Sequence, residues 1–323
     1  MRTIFLIFTL LVSGLYTTAQ EEMYTVTAAQ GDGIFSLLRK EGLDPVKYYG
    51  EFLTINKENL KNGSELVLGK QYFIPLVEDS YKNMGVKMDL EKGTETAIFN
   101  EELALLNTKS DHLKNAIIYL MLASNSEDEK AELSNLKEEV LRSIAEELMV
   151  NGAKVYLLKG NAEDQVSDIG SFEYTSKTEA PMAPIQDMRE YVDIINSAYL
   201  KNFGKYQRLV VINLDEALDN SIYHKVSIYH DDNSEGKRFA HNLQNILKEK
   251  KIATGKDFTK VFAQKNNVYL AKNAMPPLTL LEIENTSNVK AEGRVRVKPN
   301  KTWLTNTITS GIFNDYATIE LQE

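Results

Sequence analysis

The sequence predicts an α/β protein of two units, a small strand–helix–helix–strand unit followed by a larger one whose central sheet is flanked by helices. Three observations carry this. From Leu113 to Tyr316, short apolar runs of strand length alternate with longer stretches whose apolar residues recur at helical spacing. Ahead of them, residues 23–76 hold one strand pattern, two helical patterns with start and stop signals, and a second strand pattern. Between the two, residues 78–96 are polar and charged, with Gly85 and Gly93 breaking any period, and read as a linker with one short strand at most.

The chain opens with Arg2, the apolar stretch Ile4 to Leu15, and the small residues Thr17 and Ala19 at the positions signal peptidase reads. That stretch is shorter than the ~20 residues of a membrane-spanning helix, and Gln20, Glu21 and Glu22 follow it directly. Residues 1–19 are therefore read as a signal peptide cut at Ala19–Gln20, the alternative being an uncleaved anchor. The expected location is the periplasm or cell envelope, with a soluble mature chain beginning at residue 20. With no cysteine there is no disulfide, thiolate ligand or lipid-acceptor cysteine. A formal net charge of −9 leaves no basic footprint for nucleic acid, whereas a glycan held by hydrogen bonds and stacking needs no net charge.

In the first unit, residues 20–77, Met23 to Ala28 alternates as a strand does. Gln30-Gly31-Asp32-Gly33 is a turn whose Asp32 is placed to cap a helix from Ile34 to Glu41, which Gly42 ends. Asp44-Pro45 starts a second helix carrying Tyr48, Tyr49, Phe52, Leu53 and Ile55 up to Asn56. After the Asn62-Gly63 turn, Leu66 to Pro75 supplies the closing strand. Aromatic residues at helical spacing pack inward more often than they contact sugar, so Tyr48 and Tyr49 are expected in the core first.

The anchors Tyr24-Thr25-Val26, Gly31-Asp32, Leu37-Leu38, Asn56, Leu60, Gly69 and Tyr72-Phe73-Ile74-Pro75 make this unit resemble a LysM domain. The resemblance implies binding to N-acetylglucosamine-containing glycans such as peptidoglycan strands. It places a shallow groove between the turn after the first strand and the loop leaving the second helix. Gly31, Asp32, Gly33, Ile55 and Asn56 are the candidate glycan contacts, since loops are where binding residues gather.

In the larger unit, residues 97–323, Ala116 to Ala123 is a continuous apolar strand. Leu136 to Val150 is a helix with Leu141, Ile144, Ala145 and Leu148 on one face, and Ala153 to Leu158 the next strand. Met188 to Leu200 (helix), Leu209 to Ile212 (strand), Lys225 to Tyr229 (strand) and Gly236 to Lys250 (helix) continue the pattern. The short runs Val268 to Ala271 and Leu278 to Ile283, then the helix Trp303 to Tyr316, complete it.

The order and spacing of Leu113-Lys114-Asn115-Ala116, Asn151 to Tyr156, Arg208 to Ile212, Tyr229-His230-Asp231, Pro276-Pro277, and Glu282 with Asn285 resemble the zinc-dependent N-acetylmuramoyl-L-alanine amidases, in the form fused to LysM domains in Bacteroidetes-like bacteria. Such enzymes hydrolyse an amide with a metal-bound water, held by two imidazoles and a carboxylate with one position open. Where the resemblance places those three ligands, this chain has Ser124, Asn135 (or Leu133) and Asn213. The neighbouring acids Glu132, Glu138 and Glu139 read as a solvated helix face. None of His112, His224, His230 and His241 has the paired spacing of a zinc motif. Glu282 remains at the position of the general base, where the expected absence of a metal leaves it no activated water.

The expectation is an exported cell-envelope protein that binds peptidoglycan through the LysM-like unit and carries an inactive amidase-like domain, without a cofactor, that binds peptidoglycan or another envelope protein. Two alternatives stand beside it. One is an active amidase with a non-standard zinc site, or acid–base chemistry from Glu282 and Glu132. The other is an envelope assembly factor without glycan binding.

Overall fold

The structure, a computed structural model, describes residues 24–122, 131–159, 183–214, 223–262, 269–286, 288 and 290–321, so the expected signal peptide lies outside the described residues. The chain divides into two compact units, residues 1–78 and 79–323.

In the first unit β1 (Thr25–Thr27) and β2 (Gln71–Phe73) pair antiparallel, with Val26 opposite Tyr72, and α1 (Ile34–Lys40) and α2 (Pro45–Ile55) lie between them in sequence. The order is the expected one. Gly42, at φ +76°, ends α1 in the left-handed turn that lets Leu43 N–H return to the Leu38 carbonyl. Asp44 starts α2 by accepting from the N–H of Val46 at 2.8 Å and of Lys47 at 3.3 Å, while Pro45 fills the first turn. Leu37, Leu38, Phe52, Tyr72 and Ile74 form the core, and Tyr48 joins it. Tyr49 is half-buried against the exposed Phe35.

The start of α1 differs from the sequence expectation. Its N-cap is Gly33, and Asp32 stands one residue earlier, where its carboxylate accepts from Ala29 N–H at 2.9 Å and pairs with Lys40. The charge therefore secures the turn after β1 rather than the first helical amides.

The second unit is built on a sheet of ten strands among the described residues. Residues 79–96 of the expected linker belong to it. They form α3 (Tyr81–Met84), β3 (Gly85–Asp89) and β4 (Thr94–Ala97), a helical turn and hairpin at the sheet edge, instead of a linker. Only Val86 and Met88 of β3 turn inward, and the charged residues between and beyond them masked the strand in the sequence.

The remaining elements are β5 (Ile117–Leu122), α4 (Ala131–Met149), β6 (Lys154–Lys159), α5 (Ala183–Lys201), β7 (Gln207–Leu214), β8 (His224–His230), α6 (Ser234–Glu249), β9 (Ala253–Thr254), β10 (Thr259–Val261), α7 (Tyr269–Asn273), β11 (Leu278–Asn285), β12 (Arg294–Val295) and α8 (Lys301–Glu320). Strands run in the order β4-β3-β6-β5-β7-β11-β8-β12-β9, with β10 also paired to β8. From β3 through β11 neighbours are parallel, and β8 turns the direction by pairing antiparallel to β11. The run Val268 to Ala271 is not a strand: its described residues fall in α7, which buries Leu270 and closes on itself through Asn273 Nδ2 to the Tyr269 carbonyl at 2.7 Å.

Strand residues alternate between two buried faces, which explains their almost unbroken apolar runs. Ile118, Leu120, Val210, Ile212, Leu281 and Ile283 face α4, α6 and α8. Ile117, Tyr119, Leu209, Val211 and Leu280 face α5 and α7. Helices α6 and α8 approach closely at Gly311, where a Cβ would lie 2.5 Å from Leu243 Cδ2.

At the N-terminal end of β7, Arg208 is 1% exposed and reaches Asp315 of α8, itself fully buried, with Nε to Oδ2 at 2.8 Å. Arg238 of α6 donates to Asp315 Oδ1 at 2.7 Å and Tyr206 to Oδ2 at 2.9 Å. One carboxylate thus ties a strand and two helices together.

The chain leaves β5 for β6 on one side and returns to β7 on the other, so β5 and β7 are adjacent strands with divergent connections. In an open parallel sheet, the crevice beyond the C-terminal ends of such strands is where ligands bind. No helix among the described residues is long and apolar enough to cross a membrane.

Candidate functional site

On the α5 and α7 face the apolar residues give way to polar ones as the strands approach that edge. In β7, Leu209 and Val211 are followed by Asn213, and in β11, Leu278 and Leu280 are followed by Glu282. Asn213 and Glu282 are partners in parallel register, and on its other side Glu282 is the cross-strand partner of Ser227 in β8. Glu282 is 4% exposed and Ser227 1%. The Asn213 Oδ1 is buried without a hydrogen-bond partner among the described residues.

Two residues up β8 from Ser227, Tyr229 shares that face, and its hydroxyl hydrogen-bonds with Glu282 and Ser227. Burial first, then the charges of Glu282 and Glu284 and the bond to Glu282, raise the Tyr229 pKa, so the phenol keeps the proton it donates. Lys260 of β10 pairs in register with Tyr229; its Nζ donates to Ser227 Oγ at 3.4 Å and lies 5.3 Å from the centre of the Tyr229 ring. Further along the same face Lys225 and Glu284 form an ion pair at 2.8 Å.

These donors do not suit zinc. Among the described residues the side chains beside Glu282 are an amide and two hydroxyls, with the Lys260 ammonium reaching one of those hydroxyls, whereas zinc takes imidazole, thiolate or carboxylate ligands and is repelled by a cation. Among the described residues no group of three or more His, Cys, Asp or Glu is placed to hold a metal. His224 and His230 share the parity of Val226 and Ile228, so they point to the opposite face from Glu282. Their ring nitrogens meet Asn285 Oδ1 at 3.1 Å and the Asp231 carbonyl at 2.5 Å. His241 lies on α6, which covers that other face, and His112 is exposed before β5.

Of the three positions at which the sequence comparison expects vacant ligands, Asn213 is the one the described residues bring to Glu282. Asn135 is exposed on α4, which packs on the opposite face. Ser124 lies outside the described residues, as does the side chain of Glu132.

Sequence reasoning missed Ser227, Tyr229 and Lys260. A signal existed for the first two, since Lys225, Ser227 and Tyr229 put a polar atom at every second position of a buried strand. Lys260 had none, because its place depends on the pairing of β10 with β8.

In the first unit, Gly31 (φ +88°) and Gly33 are exposed on the turn after β1, and Ile55 is half-buried. Asn56 is 1% exposed, and its amide is occupied: Nδ2 donates to the carbonyls of Phe52 at 3.0 Å and Phe73 at 2.9 Å, and Oδ1 accepts from Phe73 N–H at 2.8 Å. It fastens α2 to β2, so its part in a groove is to hold the wall rather than to touch sugar. Asp32 is in the same position, its side chain 4% exposed. Lys70 joins the two expected rims, through its backbone to Ala28 and its Nζ to the Asn59 carbonyl at 2.9 Å.

No family model matches the chain, and no curated protein matches it. Solved structures similar to it are amidase catalytic domains. The CwlD amidase of Clostridioides difficile, solved in complex with the GerS lipoprotein, is 19% identical over 63% of this chain and 98% of its own, with a TM-score of 0.38. The N-acetylmuramyl-L-alanine amidase Ami1 of Mycobacterium smegmatis is 12% identical over 64% and 99%, with a TM-score of 0.40. The amidase AmiC2 of Nostoc punctiforme is 14% identical over 65% and 98%, with a TM-score of 0.34.

Proposed function

We propose that this is an exported cell-envelope protein that binds peptidoglycan strands through its LysM-like first unit and uses its amidase-like second unit to bind peptidoglycan or another envelope protein without hydrolysing it. The observation that carries the second half is the register of Asn213 with Glu282. A metal-dependent amidase needs an imidazole beside its general base to hold the ion that activates water. Here the neighbouring side chain is a neutral amide, and the carboxylate of Glu282 is engaged by the Tyr229 hydroxyl. A carboxylate bonded in this way positions strands and presents acceptors, which suits recognition.

The first half rests on the LysM-like order of elements and on the exposed Gly31 and Gly33, which leave the backbone beside the expected groove accessible to a sugar. Co-sedimentation of the mature chain with purified sacculi tests it. The expected result is weak binding, with a Kd of roughly micromolar to millimolar, since a shallow groove buries little surface. Replacing Gly33, which has ordinary backbone angles and open space around it, with bulkier Gln should reduce sedimentation while the unit stays folded. Absence of the parent from the sacculus pellet would overturn the glycan-binding reading.

A further inference from the structure

We infer that Lys260 is the internal cation of this site, a fixed ammonium that supplies beside Glu282 the positive charge a metal ion would otherwise supply. The inference rests on the metal-free reading of the second unit.

A carboxylate as buried as Glu282 is unstable unless opposite charge or several hydrogen bonds compensate it. Its neighbour in β7, Asn213, carries no charge, and its partner in β8, Ser227, carries a hydroxyl. Lys225 on the same face is paired to Glu284, and Arg294 of β12, the partner of Lys225, lies against the Tyr223 ring. Among the described residues that leaves Lys260 as the cation that reaches the Glu282 cluster, donating to Ser227 Oγ and lying over the Tyr229 ring. Ser227 and Tyr229 are also the groups around Glu282, one as its strand partner and one by hydrogen bond. Ammonium, two hydroxyls and carboxylate thus form one network, assembled when the short strand β10 joins β8.

A double-mutant cycle in the whole mature chain tests this, following the thermal transition of the second unit for Lys260→Met, Glu282→Gln, the pair together, and Lys260→Arg. Lys260→Met keeps the length and apolar stem of the side chain and removes only the charge. It should lower Tm by several degrees. Adding Glu282→Gln should return at least half of that loss, because a neutral amide needs no cation, and Lys260→Arg should stay near the parent. Should Lys260→Met alone fail to fold, the double variant is still expected to fold. Additive losses in the double variant, with Lys260→Arg as damaging as Lys260→Met, would show that Lys260 only packs against Tyr229 and would overturn the inference. Stoichiometric zinc in the parent protein would instead defeat the metal-free reading, an outcome separable from the cycle.

Discussion

Asn213 and Glu282 are direct neighbours on two parallel strands, one presenting a carbonyl oxygen with no hydrogen-bond partner among the described residues and the other a buried carboxylate. Both lie near the C-terminal edge of the sheet, beside the switch between β5 and β7, where a doubly wound fold places its ligands. On the proposed reading the pair belongs to a recognition site, with a neutral amide where a hydrolytic metal would need an imidazole.

Because the Asn213 Oδ1 has no hydrogen-bond partner among the described residues, its loss should be tolerated. Asn213→Leu is expected to change the unfolding free energy by under about 1 kcal/mol, or to stabilise, since an apolar replacement removes a buried acceptor that makes no hydrogen bond among the described residues. Urea denaturation measures this, and a loss above about 3 kcal/mol would mean that the amide is bonded in solution.

Asn56→Ala should destabilise the first unit by about 1–3 kcal/mol, because it strands the N–H and carbonyl of Phe73 at a half-buried position. Denaturation followed by a probe in the first unit checks the figure. Sedimentation with sacculi should fall only in proportion to unfolding. A fully folded variant that no longer sediments would make Asn56 a sugar contact after all.

Asp315 holds two arginines and a tyrosine together, so Asp315→Ala takes from the buried Arg208 its buried counter-charge, leaving it the more exposed carboxylate of Glu235, and takes from the partly exposed Arg238 the carboxylate it donates to. A cost of about 3–5 kcal/mol is expected, the range for removing one member of a buried ion pair. Chemical denaturation of the second unit measures it.

Burial acts to raise the pKa of Asp32, and the hydrogen bonds from Lys40 and Ala29 N–H outweigh it, so the folded value lies below the ordinary 3.8. A depressed carboxylate contributes stability that is fully present above its unfolded value and fades as pH falls through the folded one. The Tm of the first unit should therefore be insensitive to this group above about pH 5 and drop below about pH 4. Asp32→Asn should remove that part of the acid sensitivity. An unchanged acid profile in the variant would contradict the assignment.

Much of this was legible in the sequence because it depends on local pattern. The runs around Ile118, Val210 and Leu281 could only be buried strands, and Asp44-Pro45 marked where α2 begins. The hairpin Gly85–Ala97 was not legible, since an edge strand needs few apolar residues and its charges imitate a linker. Glu282 was singled out through the order of elements around it. What stands beside it was only half visible, because register between β7, β11, β8 and β10 is set by tertiary pairing across residues far apart in the chain.

The central claim is that the second unit recognises without cleaving, and release of stem peptides from purified sacculi by the mature chain, with zinc supplied in excess, tests it most directly. The account predicts no release from the parent and none from Glu282→Ala. Release by the parent that Glu282→Ala abolishes would contradict it, and would make Glu282 the base of a working hydrolase.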